Sequence, residues 1–188
     1  MATIAAPSPR SRFLVGDTPR SDDSPGSTAI YPPGGYRPVM GLLGRLFGRG
    51  TKRVGLFVDG PNVLRSEFDV DLDDLRTVAG EEGTLAVSRL YLDEHAPSGL
   101  LQAAEARGFE VITTSGDVDV RMAVDATDVA ADDAIDVLVI ASRDADFKPA
   151  LERAARYGVE TVAVAPGAHG RSDALQNAAQ RALTLEDG

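Results

Sequence analysis

A chain of 188 residues, 43% hydrophobic but only 5% aromatic, without tryptophan or cysteine, has room for one domain and a tail. Its core must be built from Val, Ala, Leu and Ile, and disulfides, thiolate metal sites and cysteine nucleophiles are excluded. The 29 acidic residues outweigh 19 basic ones, for a net charge of −10. An Asp-rich surface suits a salt-adapted, halophilic cell, because screening lengths shrink to about 3 Å near 1 M salt and self-repulsion then costs little. No apolar run approaches the roughly 18 residues of a membrane span and no signal-peptide pattern opens the chain, so a soluble, cytoplasmic protein is expected.

Residues 1–39 are rich in Pro, Ser, Gly and Arg and lack periodicity; such a segment buries too little apolar surface to offset its ordering entropy and is predicted to be disordered. Met40 opens a different segment and is an alternative translation start. There Leu42, Leu43, Leu46 and Phe47 lie beside Arg45, Arg49, Lys52 and Arg53, a pattern open to a surface helix touching membrane or RNA, or to a flexible lead-in whose apolar turn docks on the domain. Gly44, Gly48 and Gly50 favour the lead-in. Residues 1–53 hold eight basic and three acidic side chains, leaving 11 and 26 for residues 54–188, a charge of −15. The division is therefore a tail over 1–52 and a domain over 53–188.

From residue 53 apolar runs alternate with helical periodicity, as in βα units around a parallel sheet. Strands are predicted at 54–59, 85–92, 109–114, 135–141 and 159–164, and helices at 72–79, 98–107, 120–130, 147–157 and 172–181. Residues 182–185 suit a short edge strand. Gly108 and Gly158 fall where helix C-caps belong, and Asp71 and Ser172 where N-caps do. The fold expected is α/β: a doubly wound, Rossmann-like parallel sheet of about five strands with helices on both faces.

In such sheets ligands bind beyond the carboxyl ends of the strands. The first strand ends in Val58-Asp59-Gly60-Pro61-Asn62, with a carboxylate at the tip and an amide able to reach back. The fourth ends in Ser142-Arg143-Asp144-Ala145-Asp146-Phe147. A third group, Asp117-Val118-Asp119 with Asp125, opens the helix after strand three. Each Asp alone also suits a cap or a turn. Together at strand tips they favour a hard cation, Mg²⁺ or Mn²⁺, since gathered carboxylates repel one another and raise each other's pKa unless neutralised. Such a site supports phosphoryl or phosphodiester transfer without a protein nucleophile.

At these residues the chain resembles the NYN family, the nuclease-like branch of the PIN fold, and particularly its small archaeal, LabA-like members. Val-Asp-Gly-Pro-Asn at 58–62, Val-Asp-Val-Arg-Met-Ala-Val-Asp-Ala at 118–126 and Ser-Arg-Asp-Ala-Asp-Phe at 142–147 resemble its three motifs in order. The resemblance implies a PIN-like fold and a Mg²⁺- or Mn²⁺-dependent endoribonuclease in which Asp59, Asp119, Asp144 and Asp146 gather around the ion. Asn62 would steady Asp59 or touch phosphate, and Ser142 and Arg143 would contact RNA. Many members carry Lys-Gly before the central Val-Asp and Gly between the Ser and Asp of the third motif; here Gly116-Asp117 and Arg143 stand there, and Arg143 either replaces the lysine's substrate contact or forms an ion pair. Asp125 matches the pattern but lies about one and a half turns beyond Asp119, so it is expected to orient neighbours.

The competing expectation is an RNA-binding or regulatory module with weak or lost cleavage, its basic tail supplying affinity. A phosphatase or receiver-like switch would need a lysine beside the acidic turn, and only Lys148 is available in the domain. The loop 165–170, with His169 and Arg171 beyond Gly167, suits a mobile loop better than a phosphate site. His95 is expected to be solvated, and Phe68, Tyr91 and Phe109 to pack rather than stack on bases. A homo-oligomer is compatible with the sequence.

Overall fold

The computed structural model describes residues 50–64, 70–167 and 172–185. The expectations for the tail 1–49, the start at Met40, Phe68, His169 and Arg171 lie outside the described residues. The chain runs through β1 (Arg53–Asp59), a one-turn helix α1 (Gly60–Val63), α2 (Leu72–Glu81), β2 (Thr84–Asp93), α3 (Ser98–Ala106), β3 (Glu110–Thr114) and α4 (Val118–Ala131). It continues through β4 (Val137–Ala141), a 3₁₀ turn (Ala145–Phe147), α5 (Lys148–Arg156), β5 (Glu160–Ala165), α6 (Asp173–Ala178) and β6 (Arg181–Thr184).

The strands form one parallel sheet of six, in the order β3-β2-β1-β4-β5-β6. Successive side chains of a strand point to opposite faces. Val54, Leu56 and Val58 of β1 accordingly pack with Leu75 of α2 and Ala104 of α3, while Phe57 joins Met122 and Ala126 of α4 and Leu151 of α5. With both faces covered, the central strands are apolar throughout, which is why they read as continuous runs. Tyr91 and Phe109 are buried, as expected, and the His95 side chain is 87% exposed. Among the described residues no helix is long and apolar enough to cross a membrane.

The local signals act as read. Asp71 accepts a hydrogen bond from the Asp73 amide and Ser172 from that of Leu175, and Gly108 and Gly158 adopt φ of +79° and +81° after their helices, where a Cβ would be strained. Several boundaries differ from expectation by one to three residues, two of them for a visible local reason. The segment from residue 145 begins as a 3₁₀ turn, because Asp144 accepts from the Asp146 amide and Pro149 then fits the first turn of α5. The last helix stops at Ala178 rather than 181: Thr161 and Gln180 exchange hydrogen bonds that draw the chain onto the sheet edge as a sixth strand.

The chain leaves β1 for β2 and β3 on one side and returns to β4 on the other. The order therefore reverses between β1 and β4, and the crevice opens at their carboxyl ends. Val58 pairs with Ala141, so Asp59 and Ser142 are the next residues of two adjacent strands.

Candidate active site

Asp59, the last residue of β1, is fully buried. Its Oδ2 accepts the Ser142 hydroxyl at 2.7 Å and the Asn62 Nδ2 amide at 2.7 Å, while Oδ1 is buried without a hydrogen-bond partner. Burial pushes the Asp59 carboxyl up; the bonds from Ser142 and Asn62 pull it down, and the charge of Asp144 adds to the rise. Asn62 reaches back because α1 starts directly at the strand tip, with Pro61 in its first turn. That sharp start requires Gly60, since a Cβ there would lie 2.7 Å from the Tyr91 carbonyl oxygen.

Ser142 is 1% exposed, and its hydroxyl is turned to Asp59. While donating to Asp59, it accepts from the Asp144 amide at 3.0 Å, an ST-turn that ties the tip of β1 to the turn after β4. Asp144 caps the 3₁₀ turn through Oδ1, at 2.9 Å from the Asp146 amide. The cap weighed as the alternative role of such an Asp is made here and occupies one oxygen. Arg143 is partly buried beside it, and Asp146 is exposed on the turn.

Asp119 comes from the first turn of α4. Its pKa is raised to about 6, first by burial and then by the charges of Asp59, Asp144, Asp146 and Asp117. The acidic residues at the carboxyl ends of β1 and β4 and at the start of α4 thus share one electrostatic site, as expected from their strand-tip positions. Asp117 is the N-cap position of α4 but its side chain makes no capping bond. Asp125 goes elsewhere: it accepts the Tyr91 hydroxyl at 3.0 Å and the Arg121 Nε at 3.0 Å. Lys148 points down its own helix toward Glu152, 3.8 Å away, and a groove of about 420 Å³ between α4 and α5 meets the cluster at Asp146.

Among the described residues no three acidic or histidine side chains are already closed as a cation cage. The donor set nevertheless fits a hard cation in two respects: all the donors are oxygens, and the cluster holds an unpartnered buried carboxylate oxygen together with an acid raised by its neighbours. The roles of Ser142 and Tyr91 were not read from the sequence. A serine two residues before an aspartate at a strand tip was a usable signal for the first; a tyrosine in an apolar run carries none for the second.

The model of the NYN domain matches residues 53–186. The chain belongs to the NYN family. It thereby carries a nuclease-type domain of PIN-like fold. It is 42% identical over 138 residues to an uncharacterized protein of Methanocaldococcus jannaschii, a match covering 73% of this chain and 57% of that protein. The chain thus spans little more than half the length of this archaeal relative. Among solved structures, a protein of unknown function from Vibrio parahaemolyticus superposes with a TM-score of 0.63 at 22% identity, covering 74% of this chain and 96% of the other. That likeness carries the fold alone.

Proposed function

We propose that this NYN domain is a divalent-cation-dependent endoribonuclease, with Asp59, Asp119, Asp144 and Asp146 holding Mg²⁺ or Mn²⁺ and RNA as substrate. The observation that carries the reading is the convergence of carboxylates from the ends of two strands and the start of a helix, which together with burial, the larger cause, lifts Asp119 to about 6. Folding gains nothing from such repulsion, and a cation relieves it. When bound, the cation supplies charge neutralisation at a scissile phosphate and lowers the pKa of water.

The chain's own residues do the positioning. Ser142 and Asn62 commit Oδ2 of Asp59 and leave Oδ1 as its available donor. The Ser142 link to the Asp144 amide sets the second carboxylate relative to the first. Arg143, adjacent in sequence to Asp144, is the residue we assign to RNA phosphate, replacing the lysine absent from position 116. A second reading, an RNA-binding module with weak or lost cleavage, draws support from the open arrangement of the carboxylates and from the −15 charge of residues 54–188, which opposes a polyanion.

The test is incubation of the full chain with mixed RNA in high salt, with Mg²⁺ or Mn²⁺ against EDTA. The expected result is cleavage that EDTA removes and Asp144→Asn abolishes. RNA binding without cleavage under either cation establishes the module instead.

A further inference from the structure

Asp125 and Asp119 share a helix and a sequence motif, yet the fold uses them differently. Six residues separate them on α4, about 9 Å along the axis and about 120° around it. The charges pressing hardest on Asp119 come from Asp59, Asp144, Asp146 and Asp117, and Asp125 is not among them. Its side chain is 15% exposed and faces β2, where Tyr91 lies in register with Asp59. Tyr91 is fully buried and stacked on Phe57, ring centroids 6.2 Å apart. A buried phenol needs a partner for its proton, and Asp125 Oδ2 accepts it at 3.0 Å. Arg121 closes the other side, its Nε 3.0 and 3.1 Å from the two oxygens of Asp125, and the Arg89 guanidinium sits against the phenol from its own strand.

We infer that Tyr91 and Asp125 form a clamp that fixes the seating of α4 on β2, and through it the approach of Asp119 to Asp59; Asp125 is a positioning residue and not a cation ligand. The requirement at position 125 is then an oxygen that accepts a phenol proton, which an amide meets as well as a carboxylate. As far as it concerns the cation, the inference rests on the function proposed above, but the clamp itself does not.

Two measurements on the full chain decide it, using Tyr91→Phe, Asp125→Ala and Asp125→Asn. Amide hydrogen exchange over residues 121–126, the first amides of α4 with helical acceptors, is expected to accelerate roughly 2- to 12-fold in Tyr91→Phe and Asp125→Ala, as for the loss of one hydrogen bond, and to stay near wild type in Asp125→Asn. Unchanged exchange in the first two variants overturns the clamp, with or without metal. Calorimetric titration with Mn²⁺ alone is expected to show affinity about 10-fold weaker in Tyr91→Phe and Asp125→Ala, and preserved in Asp125→Asn, whereas Asp119→Asn loses it. Loss in Asp125→Asn as complete as in Asp119→Asn makes Asp125 a ligand and overturns the positioning role. If the wild-type chain takes up no Mn²⁺, the cation reading falls, and hydrogen exchange alone decides the clamp.

Discussion

Replacing Asp119 by Asn should stabilise the protein while removing the cation-dependent RNA cleavage proposed for it. The Asp119 carboxyl is raised from 3.8 to about 6 by burial and by four neighbouring carboxylates, so above pH 6 the folded chain holds a charge it would rather not carry. One pKa unit corresponds to about 1.4 kcal/mol, which makes the nominal penalty about 3 kcal/mol. Asp119 is only partly buried, and solvent screening reduces the expected gain to about 1–2 kcal/mol. The sign follows from linkage: a carboxyl with a raised folded pKa contributes stability below its unfolded value of 3.8 and loses it as pH rises through about 6. Urea unfolding of wild type and Asp119→Asn at low ionic strength should therefore coincide near pH 4, diverge between pH 4 and 6, and differ by the full amount at pH 7–8. Saturating Mn²⁺ should reverse the order, since a cation at 100 times its dissociation constant stabilises the wild type by about 2.7 kcal/mol. A variant destabilised by 1 kcal/mol or more at pH 8 without metal would refute the repulsion argument.

Two further changes probe the frame behind the carboxylates. Ser142→Ala removes one bond to Asp59 and one to the Asp144 amide, and should cost about 1–3 kcal/mol in chemical unfolding while depressing RNA cleavage; unchanged stability would show that the bridge is not made in solution. Gly60→Ala places a methyl 2.7 Å from the Tyr91 carbonyl, and should cost about 1–3 kcal/mol through backbone displacement, measurable as a lower Tm; a neutral result would mean that α1 does not start against β2.

Much of this architecture was legible because each signal is local. Apolar runs between helical segments, glycines at 108 and 158, and caps at Asp71 and Ser172 each act within a few residues, and the elements formed where they pointed. Asp59 and Asp144 were legible for a related reason: strand ends converge in a doubly wound sheet. Helix geometry already set Asp125 apart from Asp119, about one and a half turns further along, as a residue that orients neighbours. Which neighbour it meets was not legible, because only the packing of α4 against β2 brings it to the Tyr91 phenol. The bond from Ser142 to Asp59 was not legible for a similar reason, because the side to which a hydroxyl at a strand tip turns depends on the strand beside it.

The same packing bears on how so acidic a domain would take the RNA proposed as its substrate. The repulsion is concentrated where Asp59, Asp119, Asp144 and Asp146 interact, and a single divalent cation there changes the local charge by two while leaving the rest of the surface as it was. Salt weakens phosphate contacts made through lysine and arginine, and residues 54–188 hold only Lys148 and ten arginines, several of them committed to Asp or Glu. Affinity built at the carboxylate cluster survives screening better than affinity spread over a basic surface, because partly buried charges are screened less than exposed ones. An acidic exterior and an RNA-cleaving site are therefore compatible on this fold when recognition is confined to the crevice between β1 and β4.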